Sequence, residues 1–227
     1  MKLTVYVYSP ERPMLIRAAV GPVSSAVEES TVHQLQIWVF ESGTGDKIGY
    51  LKTTDTETLN GAAGATYQIP VPDDFAQYKP DVDVYVLANV TTSNSAAAFD
   101  ENTSRETLRT TAKIDENHFG LSAVTTEVPT DGLPMAGVLQ NQPVVGDAPV
   151  LRVGTQSKIT TVPLTRAVSK VRFVFANTET APTLTIKSIS LDAGMLPTEE
   201  YLIPQTTTLS YNTSAADLWP TSFDVVE

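Results

Sequence analysis

Short segments in which apolar and polar residues alternate constrain the fold of this chain more than any other feature. Lys2–Tyr8 places Leu3, Val5 and Val7 on one side of an extended chain, and residues 82–90 repeat the same pattern. A period of two is that of a β-strand with one buried face. Clusters of Gly, Pro, Asn and Asp separate these segments, as in the turns of β-sandwiches. The pattern predicts an all-β fold.

Residues 32–40 (VHQLQIWVF) are the strongest strand prediction because both faces are apolar. Leu35 and Ile37 lie on one face, and Trp38 and Phe40 lie on the other. A strand of this kind is expected to be buried on both sides. The other predicted strands are Lys47–Thr53, residues 65–71, Val150–Val153, and residues 158–164, 168–175, 184–191 and 206–211.

One segment carries helical signals among the strands. Thr103 or Ser104 can cap a helix, and Thr103 with Glu106 has the spacing of a capping box. The helix is predicted over roughly residues 105–114, with Gly120 as a stop beyond it. The fold class is therefore all-β with one short accessory helix.

Composition excludes several classes of protein. The chain of 227 residues has 15 Lys and Arg against 26 Asp and Glu, a net charge of −11, which disfavours nucleic acid as a partner. The absence of cysteine removes disulfides and thiolate chemistry. Pro10, Glu11 and Pro13 interrupt any apolar core of a signal peptide in the first twenty residues. An exported form would therefore carry its leader upstream of this sequence.

Motifs for catalysis or cofactor binding are missing from the sequence. His33 and His118 are its two histidines, and each is interpreted as a local structural residue. No nucleophile elbow, dinucleotide fingerprint or P-loop occurs. Adjacent carboxylates such as Asp73 and Asp74 could serve a glycosidase, but their turn contexts favour surface charge. We predict no catalytic residue, no cofactor and no metal site.

Four segments, taken in order, resemble the fimbrillin family of Bacteroidota, the subunits of type V pili. They are the ESTV sequence leading into LQIWVF (29–40), VYVLANV (84–90), LPMAG (133–137) and VPLTRAVSKVRFVF (162–175). Together they lie within about two thirds of the chain, and their order and spacing carry the resemblance. LPMAG is interpreted as structural, with Met135 filling a gap and Gly137 permitting a close backbone approach.

The resemblance implies a transthyretin-like Greek-key β-sandwich of about seven core strands. It also implies a division of the chain into three parts. Residues 1–17 would be a first strand and loop that end at a maturation site, and residues 18–196 would form the sandwich domain. Residues 197–227 would be a C-terminal strand or a linker toward a second domain.

In function, the resemblance implies a structural subunit of cell-surface fimbriae that assembles by donor-strand exchange and contributes to adhesion. Its partners would be other fimbrial subunits and an Arg-specific maturation protease, at the outer membrane, with a lipid anchor in the lipoprotein precursor alone. We predict that the protein is not an enzyme. The alternative is a stand-alone cell-surface β-sandwich that binds carbohydrate or protein.

The resemblance also singles out Arg17 and Ala18 as the candidate cleavage site, because the family is cut after its first strand. Arg12 is a poor alternative since Pro13 follows it. An ordinary surface role for Arg17 remains the alternative interpretation. Cleavage would release Lys2–Tyr8, so Leu3, Val5 and Val7 are the candidate side chains of the displaced strand.

Overall fold

The computed structural model describes most of the chain. The described residues are 1–8, 30–61, 64–95, 97–115, 130–167, 184–195, 197–204, 211, 213–214, 216–219 and 223–225. Two five-stranded sheets face each other across an apolar core. The β1 sheet contains β1 (Lys2–Tyr8), β4 (Gly64–Pro70), β8 (Val144–Asp147), β9 (Val150–Val153) and β10 (Thr161–Pro163). The β5 sheet contains β2 (Leu35–Glu41), β3 (Lys47–Thr53), β5 (Val82–Ala88), β7 (Met135–Gln142) and β11 (Thr165–Arg166).

Three short helices and six further strands complete the described elements. The helices are α1 (Glu57–Gly61), α2 (Phe75–Tyr78) and α3 (Arg105–Thr111). The strands pair as β6 (Lys113–Asp115) with β14 (Glu199–Tyr201), β12 (Leu184–Ile186) with β16 (Phe223–Val225), and β13 (Ile189–Leu191) with β15 (Ala216–Trp219). None of the described helices is long and apolar enough to cross a membrane. The prediction of an all-β sandwich is confirmed.

The inner core fills the space between the two sheets. Leu3 and Ile69 from the β1 sheet belong to the same buried cluster as Leu35, Val84 and Val86 from the β5 sheet. Burying each such side chain contributes about 1.5–3 kcal/mol. The period-two pattern therefore corresponds to one apolar face per sheet, as predicted.

A second core covers the outer face of the β5 sheet. Trp38 and Tyr85 project from that face, and Leu108 of α3 with Leu202 and Ile203 covers them. The indole Nε1 of Trp38 donates a hydrogen bond of 2.9 Å to the carbonyl oxygen of Asp100. This outer layer explains why β2 is apolar on both faces and buried over nearly its whole length.

The predicted helix is confirmed with Ser104, one of its two predicted caps, whereas the capping box and the helix end differ from the prediction. Ser104 is the N-cap, and its Oγ accepts a hydrogen bond of 3.0 Å from the Thr107 amide, so the Thr103–Glu106 capping box does not form. The helix ends at Thr111 because Lys113–Asp115 extends as β6 to pair with β14. Single-turn helices α1 and α2 were not predicted.

Several strand predictions need new bounds. Residues 32–34 precede β2 rather than belonging to it, and the predicted strand 158–164 is shorter, spanning Thr161–Pro163. The segment 184–191 divides into β12 and β13. The predicted strand 168–175 lies outside the described residues, as does 206–211 apart from Tyr211, which bridges to Pro197.

Candidate functional site

Strand β1 occupies the middle of its sheet although it is the first segment of the sequence. On one side it pairs antiparallel with β4 over all seven residues, from Lys2 opposite Pro70 to Tyr8 opposite Gly64. On the other side it pairs parallel with β9 near its start and with β10 near its end. We call the space between β4 and the β9–β10 pair the β1 slot.

The side chains of β1 are seated in the β1 slot through one face. Leu3, Val5 and Val7 are at most 1% exposed and belong to the inner core, whereas Lys2 and Tyr8 are exposed. Burial of the three apolar side chains contributes roughly 1.5–3 kcal/mol each. A seven-residue strand is thus held by three side chains at two-residue spacing.

Backbone hydrogen bonds close both ends of the slot around β1. The amide of Val71 donates to the Met1 carbonyl oxygen at 3.2 Å, and the amide of Leu164 donates to the Tyr8 carbonyl oxygen at 3.0 Å. Loss of β1 would leave unpaired backbone on β4 and on the β9–β10 side, together with an exposed apolar trench. Unpaired edges of this kind readily accept an added strand.

Gly64 gives β1 room at the C-terminal end of the slot. A Cβ atom on this residue would lie 2.7 Å from Cε1 of the Tyr6 ring and 2.8 Å from the carbonyl oxygen of Val7. Neither distance is tolerated without a shift, so glycine is required here for close approach.

The candidate cleavage site and one of the two histidines lie outside the described residues. Arg17, Ala18 and His118 lie outside the described residues. His33 is exposed in the connection that leads into β2. Within the described ranges, no group of three or more His, Asp or Glu side chains could hold a metal ion.

Three of the four sequence motifs that carried the family resemblance meet at one buried asparagine. Asn89 is fully buried, and its Nδ2 donates to the carbonyl oxygens of Thr31 at 2.8 Å and Leu133 at 3.0 Å. Its Oδ1 accepts from the amide of His33 at 2.7 Å. Asn89 thereby joins the ESTV segment, the end of β5 and the LPMAG segment.

Two residues that the sequence did not single out complete this arrangement. Asn60 Oδ1 accepts from the Val32 amide at 2.8 Å, and Asn60 Nδ2 donates to the Val32 carbonyl oxygen at 2.7 Å. Thr56 Oγ1 donates to the same carbonyl oxygen at 2.6 Å. We call the set Thr31, Val32, His33, Thr56, Asn60 and Asn89 the Asn89 junction. No local pattern marks Thr56 or Asn60, because their partners lie more than twenty positions away.

Met135 and Gly137 of the LPMAG segment occupy closely packed positions, as the sequence predicted. Met135 is fully buried in the inner core. A Cβ atom on Gly137 would lie 2.5 Å from the carbonyl oxygen of Pro163, so glycine lets β7 approach β10. The chain passes from β10 to β11, and so from one sheet to the other, beside this contact.

A small polar cavity of about 180 Å³ lies between the end of β3 and β4. Its lining includes Thr53, Asp55, Thr58, Tyr67 and Gln68. The Tyr67 hydroxyl is buried without a hydrogen-bond partner, and burial, together with the nearby Asp55 charge, raises the pKa of Tyr67 to about 12. This cavity is a second place where a ligand could be held.

The fold and the slot together define a β-sandwich whose central strand comes from the extreme N-terminal segment. Neither a protein-family model nor a curated protein matches the chain. Among solved structures, the tip fimbrial protein Mfa3 of Porphyromonas gingivalis is similar, with a TM-score of 0.53 and 15% identity. That match covers 95% of this chain and 63% of the Mfa3 chain, so this chain spans less than two thirds of the Mfa3 structure.

Two other solved structures are also similar. A Bacteroides thetaiotaomicron protein described as a candidate polysaccharide-binding protein has a TM-score of 0.51 and 13% identity, with 100% of this chain and 72% of that one covered. A candidate cell adhesion protein of Parabacteroides distasonis has a TM-score of 0.48 and 14% identity, with 100% and 70% covered. At the level of fold, the resemblance to fimbrillins is confirmed.

Proposed function

We propose that this chain is a structural subunit of type V fimbriae that assembles by donor-strand exchange and contributes to adhesion. The observation that carries the proposal is the place of β1, which fills the centre of a sheet through three buried side chains. A cut between β1 and β2 would let this strand leave without breaking the rest of the sandwich. The fold shared with the Mfa3 tip protein supports the same function.

The partner that replaces β1 is a strand of another subunit. It carries apolar side chains at positions i, i+2 and i+4, which take the places of Leu3, Val5 and Val7. Its backbone pairs with β4 along one edge and with β9 and β10 along the other. Backbone pairing supplies affinity and the three apolar positions supply register, as in other cases of strand addition.

Proteolysis after Arg17 by an Arg-specific protease is the step that frees β1. Residues 1–17 then form the released fragment and residues 18–196 form the sandwich domain of the mature subunit. The precursor is exported and carries a lipid anchor, and the mature subunit lies in the fimbrium at the outer membrane. The protein is not an enzyme and has no catalytic site.

Limited trypsin digestion of the full chain tests this proposal, with cut sites read by mass spectrometry. We expect the first cut after Arg17, and we expect an Arg17→Ala variant to resist that cut. The trimmed protein is then mixed with a fluorescent peptide of sequence KLTVYVY, and binding is followed by anisotropy. A peptide with the Val5→Asp change is the matched control and should not bind, because a carboxylate cannot enter the apolar slot.

Two results would argue against the proposal. One is a trimmed protein that binds neither peptide, or that binds both equally. The other is a folded chain in which the bond after Arg17 resists protease while bonds elsewhere are cut.

The alternative function, binding of carbohydrate, is favoured by the polar cavity beside Tyr67. Hydroxyl, amide and carboxylate groups line it, and such groups can form hydrogen bonds with the hydroxyls of a sugar. The similar B. thetaiotaomicron structure is described as a candidate for polysaccharide binding. Saturation-transfer NMR with glucose, galactose, mannose and N-acetylglucosamine tests this alternative. A signal that is lost in Gln68→Ala would support it, and no signal from any of the four sugars would refute it.

A further inference from the structure

Among the described strands, none pairs with residues 31–33. Ladder pairing of β2 begins at Leu35, which lies opposite Thr53 on one side and Ala88 on the other. Side chains of the described residues hold part of the backbone that precedes β2. Backbone polar groups that are buried away from water need such partners.

Two asparagine side chains take the place of the missing strands. The carbonyl of Thr31 and the amide of His33 face Asn89, which donates to the first and accepts from the second. The amide and the carbonyl of Val32 face Asn60, which pairs with both. Each side chain thus makes the pair of opposed hydrogen bonds that a neighbouring strand would make.

Burial strengthens this arrangement. The side chain of Val32 is fully buried in the inner core, and Ser30 is 5% exposed. Asn89 has a φ of +59°, a conformation that asparagine tolerates better than most residues. Its carbonyl oxygen also accepts a hydrogen bond of 2.6 Å from Asn94 Nδ2, which fixes the turn behind it. The junction therefore holds residues 31–33 through partly buried hydrogen bonds around the buried Val32 and Asn89 side chains.

We propose that the Asn89 junction acts as a lock. It holds residues 31–33 in place in the processed chain, so that the loss of β1 does not unfold β2. The inference rests on the proposed function, since cleavage creates a chain end between β1 and residue 31. Without the lock, that end would loosen residues 31–34 and then the outermost pairs of β2. With the lock, the β1 slot opens while the β5 sheet stays intact.

The experiment uses the full chain with a site for a sequence-specific protease inserted between residues 17 and 18. The cut does not depend on natural processing at Arg17. After cleavage, the fragment is removed by gel filtration in sub-denaturing urea and the urea is dialysed away. Amide hydrogen exchange is then measured for Val32, His33 and Leu164 in the intact and the cleaved protein.

Leu164 reports on β1 itself, because its amide donates to the Tyr8 carbonyl oxygen. We expect its protection to fall by about tenfold or more on loss of β1, while Val32 and His33 change by less than about threefold. In an Asn60→Ala variant, protection of Val32 should fall about tenfold further in the cleaved protein than in the intact protein. Thr56→Val is a milder variant should Asn60→Ala fail to fold.

Arg105→Met is the matched control variant. It breaks a hydrogen-bonded ion pair with Asp83, remote in sequence from residues 31–33, and should lower protection equally in both forms. Val32 and His33 losing protection together with Leu164 in the parent protein would overturn the lock. The lock would also be overturned if Asn60→Ala lowered the protection of the Val32 amide equally in the intact and the cleaved protein. An unchanged exchange rate of the Leu164 amide would contradict the proposed strand exchange but not the lock. The lock is tested by the exchange rates of the Val32 and His33 amides.

Discussion

At the scale of single residues, one buried carboxylate organises the end of the β5 sheet near the β2–β3 turn. Asp83 is 5% exposed, and its Oδ1 accepts from Ser42 Oγ at 2.6 Å and from the Asn141 amide at 2.9 Å. Its Oδ2 accepts from Arg105 at 2.8 Å, which ties helix α3 to β5. Arg105 also donates to the Ser42 carbonyl oxygen at 2.9 Å. Four segments that are distant in sequence meet at this carboxylate.

Replacing Arg105, the cation of the ion pair with Asp83, should destabilise the fold. We expect Arg105→Met to lower the free energy of unfolding by about 1–3 kcal/mol, because the Asp83 carboxylate loses a charged donor in a buried place. Arg109→Met on the same helix is the control, since the Arg109–Glu106 pair is exposed and exposed pairs contribute under about 1 kcal/mol. Urea denaturation measures both. Equal losses in the two variants would contradict the role given to Asp83.

A second residue-scale prediction concerns the buried hydroxyl of Tyr67. Burial, together with the nearby Asp55 charge, raises the pKa of Tyr67 in the folded chain from its ordinary value of 10.0 to about 12, so the folded state disfavours the phenolate. The contribution of Tyr67 to the free energy of unfolding is fully present below pH 10 and is lost as the pH rises toward 12. A Tyr67→Phe variant lacks this loss, so its stability relative to the parent should increase between pH 9.5 and 11.5, on the order of 1 kcal/mol or more.

Chemical denaturation at a series of pH values measures this difference. Tyr78→Phe is the control because its ring is 74% exposed. A parent-to-variant difference that stays constant across the pH range would show that Tyr67 does not titrate with a raised pKa.

At the scale of elements, the close packing of β1 against β4 depends on one glycine of β4, Gly64. Gly64 faces the Tyr6 ring and the Val7 carbonyl oxygen, as described above. The same feature shows the limits of sequence reasoning. The alternation of Leu3, Val5 and Val7 predicted a strand with one buried face, but no sequence pattern indicates a central place in a sheet. That place depends on parallel partners near residues 150 and 161.

The contact at Gly64 can be tested by substitution. Gly64→Ala should lower the free energy of unfolding by about 1–3 kcal/mol through overpacking against β1. It should also speed exchange of the Leu164 amide, which is bonded to the end of β1. Gly43→Ala is the matched control because a Cβ atom there would meet no atom within 4 Å. A Gly64→Ala variant as stable as Gly43→Ala would show that β1 is seated more loosely than described.

At the scale of the whole molecule, the described part of the sandwich consists of the β1 sheet, the β5 sheet and an outer cover on the β5 sheet. The cover includes α3 and the segment that follows β14, and Leu202 donates its amide to the Ala112 carbonyl oxygen at 2.8 Å. The apolar outer face of β2 predicted such a layer, but its source could not be predicted, because 199–203 carry no strong pattern. Residues 197–227 as a separate strand or linker remain a prediction.

The cover can be loosened without touching the inner core. Leu202→Asp should place a carboxylate in the outer core and lower the free energy of unfolding by several kcal/mol, roughly the cost of burying a charge without a partner. Amide exchange near β6 and β14 should rise first, and the Val5 and Val7 amides of β1 should change least. Met195→Asp is the control because that side chain is 64% exposed. A uniform rise across both sheets would show that the cover and the sandwich unfold as one unit.

The central place of β1 also determines the order in which the protein can fold. Strand β1 pairs with β9 and β10, which begin at Val150 and Thr161 and therefore lie far from it along the chain. Contacts between such distant segments close slowly, because a long loop must be ordered before they form. Until then β4 can pair with β1 on one edge while the other edge of β1 stays open, a state that favours association with other chains. A chaperone that shields this edge would therefore act most usefully before β9 and β10 have joined the sheet.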